Sequence, residues 1–519
     1  VVIFGNQPLE NSLDRSDFFP IGEVAVRISN YLFRLKRYIT WERVVVAVGF
    51  IIATILNLAM PVQMPDPDDW AYYHGVRNFS EGHLTIDNLD QYKQARDTMN
   101  QGGMLLQYLP LDFNKWALEK APGYVFYLVP FYKIGIPRYG NVLLALGMLI
   151  VTFILLKRLR NEKAAMIGSL LTLYTPIAMV MINRTFMETY SCLAFMVIGG
   201  GLYIYYQLER KNLSPAKGGI LLFFAFLFIS LSVITRYTNL PIAVILALHL
   251  AVTRFIAWRK SEKTGLIPEI VPLVLGIGLP IVAILLYNNY VFGSSLQYGY
   301  AVSPYPIKFA FQYLGQADPF GESIPLQIVQ YNAEAFARNL FIGFPLLIIG
   351  IPGFVMVLYY KCAAYSKKDQ PEGTWSRLRS ELPWDILLVL IGWFVSVFFL
   401  YLCYEWTAGL KDGGGFVIFN RFLVPGLFPV VVIVTLIMDR FPLKVMVPVM
   451  LILMVFGSLL YTQWTLDLHI LPEWMTVSTL ETRWPGYFFP PWIPYFLPDS
   501  GPESFPFPLW SYQYMFPVR

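Results

Sequence analysis

The chain of 519 residues is 56% hydrophobic and only 14% charged, with a formal net charge of +5. A soluble protein carries roughly a quarter charged residues, so this composition excludes a water-soluble globular enzyme and indicates a polytopic helical membrane protein. The small positive excess belongs to basic loops at a membrane surface and implies no nucleic-acid partner, and the three cysteines and four histidines are scattered, offering neither a disulfide framework nor a zinc spacing.

Residues 1–43 are polar, then basic, with Arg27, Arg34, Lys36, Arg37 and Arg43 ahead of the first apolar run. The excess of basic residues on the inner side of membrane proteins makes this a cytoplasmic arm. The first residue is Val rather than Met, which fits a start that is processed or simply not included; no signal-peptide pattern precedes Val44, and the first span itself is expected to act as the insertion signal. That span is placed at 44–63. Residues 64–137 then form a long outer loop with nine acidic and six basic residues. Its last apolar piece, Gly123 to Tyr132, is too short to cross a bilayer at about 1.5 Å per residue and reads as a helix lying in the interface.

Further spans are expected near 139–157, 164–183, 189–207, 218–234, 239–257, 268–289, 340–360, 384–404, 421–438 and 443–462. The fold class is therefore an all-α polytopic membrane protein of about 11 transmembrane helices, the bundle occupying 44–463. Alternate loops carry the basic residues, for example Lys157, Arg158, Arg160 and Lys163, then Arg254, Arg259, Lys260 and Lys263. This puts the N-terminus in the cytoplasm and the C-terminus outside. Two more outer segments are long: 290–339, rich in tyrosine with Asp318 and Glu322, and the aromatic, proline-rich tail 464–519. The tail has too little aliphatic content for its own core and is expected to cover the bundle or contact a membrane-complex partner.

Chemistry gathers on the outer side. Asp66, Asp68 and Asp69 sit just beyond the first span, followed by Trp70, Tyr72 and Tyr73. Carboxylates are costly in hydrocarbon, so they mark a solvated helix end or a functional cleft. Lys120, after Glu119 and before the stiff Pro122-Gly123 turn, is either a snorkelling lysine or a ligand for an anion. Arg184 and Glu188 stand at i and i+4, which suits a local ion pair; alternatively Glu188 adds an acidic group opposite Asp68 and Asp69. Arg236 and Arg421 each sit where a span meets the outer interface. A guanidinium there suits a phosphate, since its planar fork donates two hydrogen bonds and keeps its charge, or else contacts lipid head groups. Glu405, Lys411 and Asp412 lie in a glycine-rich outer loop and read as solvated charges.

Four segments together resemble the C-class glycosyltransferases, in particular the branch of the dolichyl-phosphate-mannose protein mannosyltransferases and the lipid A aminoarabinose transferase. They are Asp68-Asp69-Trp70-Ala71-Tyr72-Tyr73; Glu119-Lys120-Ala121-Pro122-Gly123-Tyr124; Asn288 to Ser294 with Gln297-Tyr298-Gly299-Tyr300; and Asn420-Arg421-Phe422-Leu423-Val424-Pro425. The resemblance covers about 44–440. It departs from the family pattern in having Asp for Glu in the acidic pair, Ala121 for the first proline of Lys-Pro-Pro, and no match for a metal-binding histidine.

The resemblance implies transfer of a sugar from a polyprenyl-phosphate donor to a protein, lipid or glycan acceptor on the non-cytoplasmic face. Asp68 or Asp69 would be the general base, the two carboxylates raising one another's pKa. Lys120, Arg236 and Arg421 would hold the donor phosphate, and Tyr72, Tyr73, Glu119, Arg184, Glu188, Tyr298 and Tyr300 would line the substrate site. No cofactor is demanded, a divalent metal being the option the resemblance leaves open. The setting would be a prokaryotic plasma membrane, or the endoplasmic reticulum in a eukaryote. Two alternatives stand beside this: a non-catalytic structural subunit with the same fold, and a lipid or solute transporter. The transporter needs ionisable groups at mid-membrane, where the apolar runs offer only isolated residues such as His249.

Overall fold

The computed structural model describes residues 40–60, 62, 67–100, 107–112, 114–259, 267–303, 308–317, 321, 323–366, 382–404 and 421–466. The arm at 1–39, Asp66, Asp318, Glu322, Glu405, Lys411, Asp412, Asn420 and the tail from 467 onward lie outside the described residues.

The first half runs α1 (Trp41–Ala59), α2 (Pro67–Ser80), β1 (Thr85–Ile86), α3 (Leu89–Asn100), β2 (Tyr108–Asp112), β3 (Lys115–Leu118), α4 (Gly123–Lys133), α5 (Arg138–Leu159), α6 (Glu162–Tyr174), α7 (Pro176–Asn183), α8 (Glu188–Glu209) and α9 (Pro215–Thr235). The second half runs α10 (Leu240–Arg259), α11 (Ile267–Phe292), α12 (Gly299–Val302), α13 (Ile324–Gly343), α14 (Leu347–Ser366), α15 (Trp384–Cys403), α16 (Leu427–Met438) and α17 (Leu443–Leu466). Among the described residues seven helices are long and apolar enough to cross a membrane, and α6 with α7 makes an eighth if that bent pair is one span. The expectation of about eleven crossings also counts the shorter apolar helices at Leu347–Cys362, Val424–Met438 and Lys444–Phe456. The protein is an integral membrane protein. Large aliphatic and aromatic side chains such as Leu248, Phe255, Leu286, Val355 and Phe399 are more than half exposed, which water would not tolerate in such number and lipid does.

The centre of the bundle is α6, α7 and α16, whose described side chains are almost all buried. α6 and α7 meet at 56°. The bend falls at Thr175-Pro176, where the proline ring cannot continue the preceding helix and instead opens the next one. This turns the short α7 so that its end, Asn183-Arg184-Thr185, is wholly enclosed. Arg138, at the start of α5, donates to the carbonyls of Leu58 at 3.0 Å and Met60 at 2.6 Å and to Asn183 Oδ1 at 3.1 Å. It satisfies the free carbonyls ending α1 and ties them to α7, fixing where the chain enters α2.

The segment between α1 and α5 is more than short amphipathic pieces. It contains a three-stranded antiparallel sheet in the order β1-β3-β2, with Ala117 of the central strand opposite Thr85 on one side and Leu109 on the other. Such short strands, one carrying Pro110 at the sheet edge, show no usable alternation in sequence. Trp116 is fully buried and stacks on Tyr92 at 4.4 Å between ring centres, giving this unit its own small core.

Charge also organises the opposite end of the bundle. Asp439, just after α16, is paired with Arg160 at 2.8 Å and Lys163 at 3.7 Å, and Asn161 caps α6 by accepting from the Ala164 amide at 2.8 Å.

Candidate active site

α2 begins at the rim of the bundle and buries Asp68, Asp69 and Tyr72, with Tyr72 one turn beyond the two aspartates, four residues after Asp68 and three after Asp69. Each carboxylate finds a different partner. Lys120 Nζ lies 2.9 Å from Asp68 Oδ1, and Arg421 Nη2 lies 3.1 Å from Asp68 Oδ2. Arg184 engages Asp69 in a two-pronged fork, with Nε donating to Oδ1 at 3.2 Å and Nη2 to Oδ2. Asp69 and Arg184 are both 0% exposed, a closed pair, whereas Asp68 is 6% and Arg421 7% exposed.

The expected local pair of Arg184 with Glu188 is therefore corrected. Arg184 is drawn to Asp69, because the turn after α7 aims its fork back across the bundle. Glu188, at the start of α8, instead faces Arg236 at a loose 3.9 Å. Glu188 Oε2 and Arg236 Nη1 are buried with no hydrogen-bond partner among the described residues. Arg236 ends α9 and lies over the rings of Tyr401 at 5.6 Å and Phe422 at 5.2 Å, so aromatic faces hold it in place. Its turn is braced by Asn239, which donates to Ser232 Oγ at 2.8 Å, while Ser232 donates to the Cys192 carbonyl at 2.7 Å.

Two glycines bring the remaining walls close. A Cβ on Gly123 would fall 2.5 Å from the Ile234 carbonyl oxygen, so α4 lies directly on the end of α9. One on Gly299 would fall 2.1 Å from the Glu119 carbonyl oxygen, so the start of α12 is laid on the chain beside Lys120. That second contact sets Tyr300 beneath Lys120, 5.3 Å from Nζ to ring centre, and lets Ser303 Oγ donate to Glu119 Oε1 at 2.7 Å.

The electrostatics differ from the expectation that two adjacent aspartates raise one another's pKa. Burial pushes Asp68 up, but the Lys120 and Arg421 charges and the hydrogen bonds from Lys120 and Gln107 more than offset it, holding the carboxyl well below its ordinary value. Glu119 goes the other way: burial pushes it up, and Lys120 and Ser303 do not fully compensate. Burial would strip the proton from Lys120, yet Asp68, Tyr300 and Glu119 keep it firmly charged. The Tyr300 hydroxyl is pushed up to about 12, chiefly by burial.

Of the residues singled out in sequence, Asp68, Lys120, Arg421, Glu119 and Tyr300 converge, with Glu188, Arg236 and Tyr72 on the adjoining wall; Tyr72 is buried and its ionisation feels Glu188, Tyr300 and Asp68. Tyr73 does not join them. It turns to the other side of α2, packing on Phe186 at 5.1 Å and Tyr132 at 6.3 Å. Tyr298 sits at the edge, 39% exposed against Tyr237. Sequence reasoning missed Gln107, which bonds Asp68 from a loop with no distinguishing pattern, and Tyr401, hidden in an ordinary apolar span.

Fold and site together describe a polytopic membrane protein with a buried cluster of carboxylates and fixed cations at one end of its bundle. No protein-family model matches the chain, and neither does any curated protein. Among solved structures it is similar to ArnT from Cupriavidus metallidurans bound to undecaprenyl phosphate, at 14% identity and a TM-score of 0.47 over 79% of this chain and 62% of that one. It is also similar to the Archaeoglobus fulgidus oligosaccharyltransferase in its apo form, at 12% identity and a TM-score of 0.47 over 81% of this chain and 56% of that one. A third is the archaeal oligosaccharyltransferase AglB from Archaeoglobus fulgidus in complex with an inhibitory peptide and a dolichol-phosphate, at 13% identity and a TM-score of 0.46 over 83% and 56%. The chain spans less than two thirds of the length of each.

Proposed function

We propose that this protein is a membrane glycosyltransferase that moves a sugar from a polyprenyl-phosphate donor to an acceptor hydroxyl. The observation that carries the proposal is Asp68 held between Lys120 and Arg421, with the under-bonded Arg236 nearby. A donor phosphodiester carries one negative charge. Three cations, Lys120, Arg421 and Arg236, gather here with Asp68, Glu119 and Glu188, and burial favours the neutral form of Glu119, which tips the balance toward positive charge.

In this reading the phosphate competes with Asp68 for Lys120 and Arg421. As the cations turn to the phosphate oxygens, Asp68 loses the charges that depress its pKa and regains basicity at the moment a base is needed. The acceptor oxygen then attacks the anomeric carbon, and its proton passes to Asp68. The bond from that carbon to the phosphate oxygen breaks, and polyprenyl phosphate leaves with the electron pair. Lys120, Arg421 and Arg236 stabilise the charge developing on it, the interaction usually largest in such transfers. Asp69 is not the base: its lone pairs are committed to Arg184 in a closed pair, and it serves to fix α2.

A divalent metal does not fit this donor set. Both Asp68 oxygens already face cations, which would repel a further one, and among the described residues no three His, Cys, Asp or Glu side chains are placed to hold a metal ion. The site faces the non-cytoplasmic side in this account, because Arg160, Lys163 and Arg440 mark the opposite end of the bundle. The acceptor is a protein, lipid or glycan. To test the proposal, the purified full chain is incubated with a panel of radiolabelled polyprenyl-phosphate sugars and candidate membrane acceptors. Release of polyprenyl phosphate with label appearing on an acceptor is expected; no release from any donor in the panel would count against it.

A further inference from the structure

A groove of about 880 Å³ runs along the lipid-facing side of the bundle between α1 and α5, away from the carboxylate cluster. Its walls are apolar, including Phe50, Ile51, Ile150 and Ile154, and Arg43, Lys157 and Arg158 stand together at one end. Ile51 and Ile150 are each about half exposed, 54% and 49%, so among the described residues nothing covers them. The volume lies in the range of about 300–1,000 Å³ usual for ligand sites.

We propose that this groove binds one anionic glycerophospholipid, its acyl chains on the apolar walls and its phosphate on Lys157 and Arg158. Three features favour that occupant. The groove extends along α5 from Leu146 to Lys157, about 16 Å at 1.5 Å per residue, the depth of one leaflet of a hydrocarbon layer about 30 Å thick. Its charged end carries the right sign. Among the described residues Arg43, Lys157 and Arg158 bring three cations to this end beside the two carboxylates Glu162 and Glu209. Lys157 and Arg158 are also 44% and 46% exposed at their side chains, free to turn from their carboxylates to a phosphate. The proposed donor site stands at the other end of α1, about 24 Å from Arg43 by the length of that helix, so the two lipid sites are separate.

The experiment uses the full chain in detergent, with dioleoyl phosphatidylglycerol, dioleoyl phosphatidylcholine and water-soluble glycerol 3-phosphate as probes, read by native mass spectrometry and thermal unfolding. Phosphatidylglycerol is expected to be retained one per protein and to raise the unfolding temperature, phosphatidylcholine to do so far less, and glycerol 3-phosphate not at all. K157Q/R158Q should weaken phosphatidylglycerol binding about a hundredfold, about tenfold for each of the two lost charge-assisted contacts. Ile150→Trp, which fills the groove and leaves the charges in place, should weaken both lipids. Equal retention of the two lipids by the natural chain, or full retention of phosphatidylglycerol by both variants, would overturn the proposal. Stabilisation by glycerol 3-phosphate alone would also overturn it, showing a phosphate site without a lipid groove. Sugar transfer plays no part in these measurements, so their failure and a failure of the transferase reading are distinguishable.

Discussion

Asp68→Asn is expected to cut sugar transfer from a polyprenyl-phosphate donor about a hundred- to ten-thousandfold, the range a positioned general base contributes. The change keeps the shape of the side chain and removes the group that takes the acceptor proton. It has a second consequence, which separates catalysis from a merely structural role. Asp68 occupies the hydrogen bonds of Lys120 and Arg421 that the donor phosphate is proposed to take. Without that competitor, the variant should bind polyprenyl phosphate at least as tightly as the natural chain while turning over far more slowly. Transfer assays and equilibrium binding on the same preparation decide it. Unchanged transfer would remove Asp68 from the mechanism, and a joint loss of transfer and phosphate binding would make it a scaffold residue.

Asp69→Asn should fail differently, by loss of folded protein. Asp69 and Arg184 are both wholly enclosed, and removing one partner of such a pair leaves an unpaired buried charge, at a cost of about 3–5 kcal/mol. That is a large share of the net stability of an ordinary domain. Replacing both members with apolar groups of similar size, Asp69→Leu with Arg184→Met, removes the stranded charge and should recover much of the loss. Thermal unfolding in detergent provides the comparison. An Asp69→Asn protein as stable as the natural chain would show that the pair does not secure α2, and would reopen Asp69 as a reactive carboxylate.

The two neighbouring aspartates show how far sequence goes. That charged groups cluster beside the spans is legible, because carboxylates and guanidinium groups cannot sit in hydrocarbon. Lys120, Arg236 and Arg421 stand out for the same reason, and Lys120 and Arg421 meet Asp68 from segments up to 353 positions away. Pairing was not legible. Arg184 has Glu188 four residues away and yet binds Asp69, 115 residues back, because the bend at Pro176 sets its direction. Sequence spacing carries no record of that angle. Tyr72 and Tyr73 look equivalent in a row of letters, but one residue on a helix is about 100° of rotation, enough to send one to the cluster and the other to Phe186. The small sheet escaped for another reason: strands of two to five residues are shorter than the window over which alternation can be read.

Recognition of a lipid-linked phosphate by fixed cations is the centre of the account, and it can be measured without knowing the sugar or the acceptor. The full chain in nanodiscs is titrated with a long-chain polyprenyl phosphate and, separately, with the corresponding polyprenol, for the natural protein and for Arg421→Gln. The account predicts that the phosphate binds at least tenfold tighter than the alcohol and that Arg421→Gln removes most of that advantage. Equal binding of phosphate and alcohol, or an advantage untouched by the loss of Arg421, would contradict it.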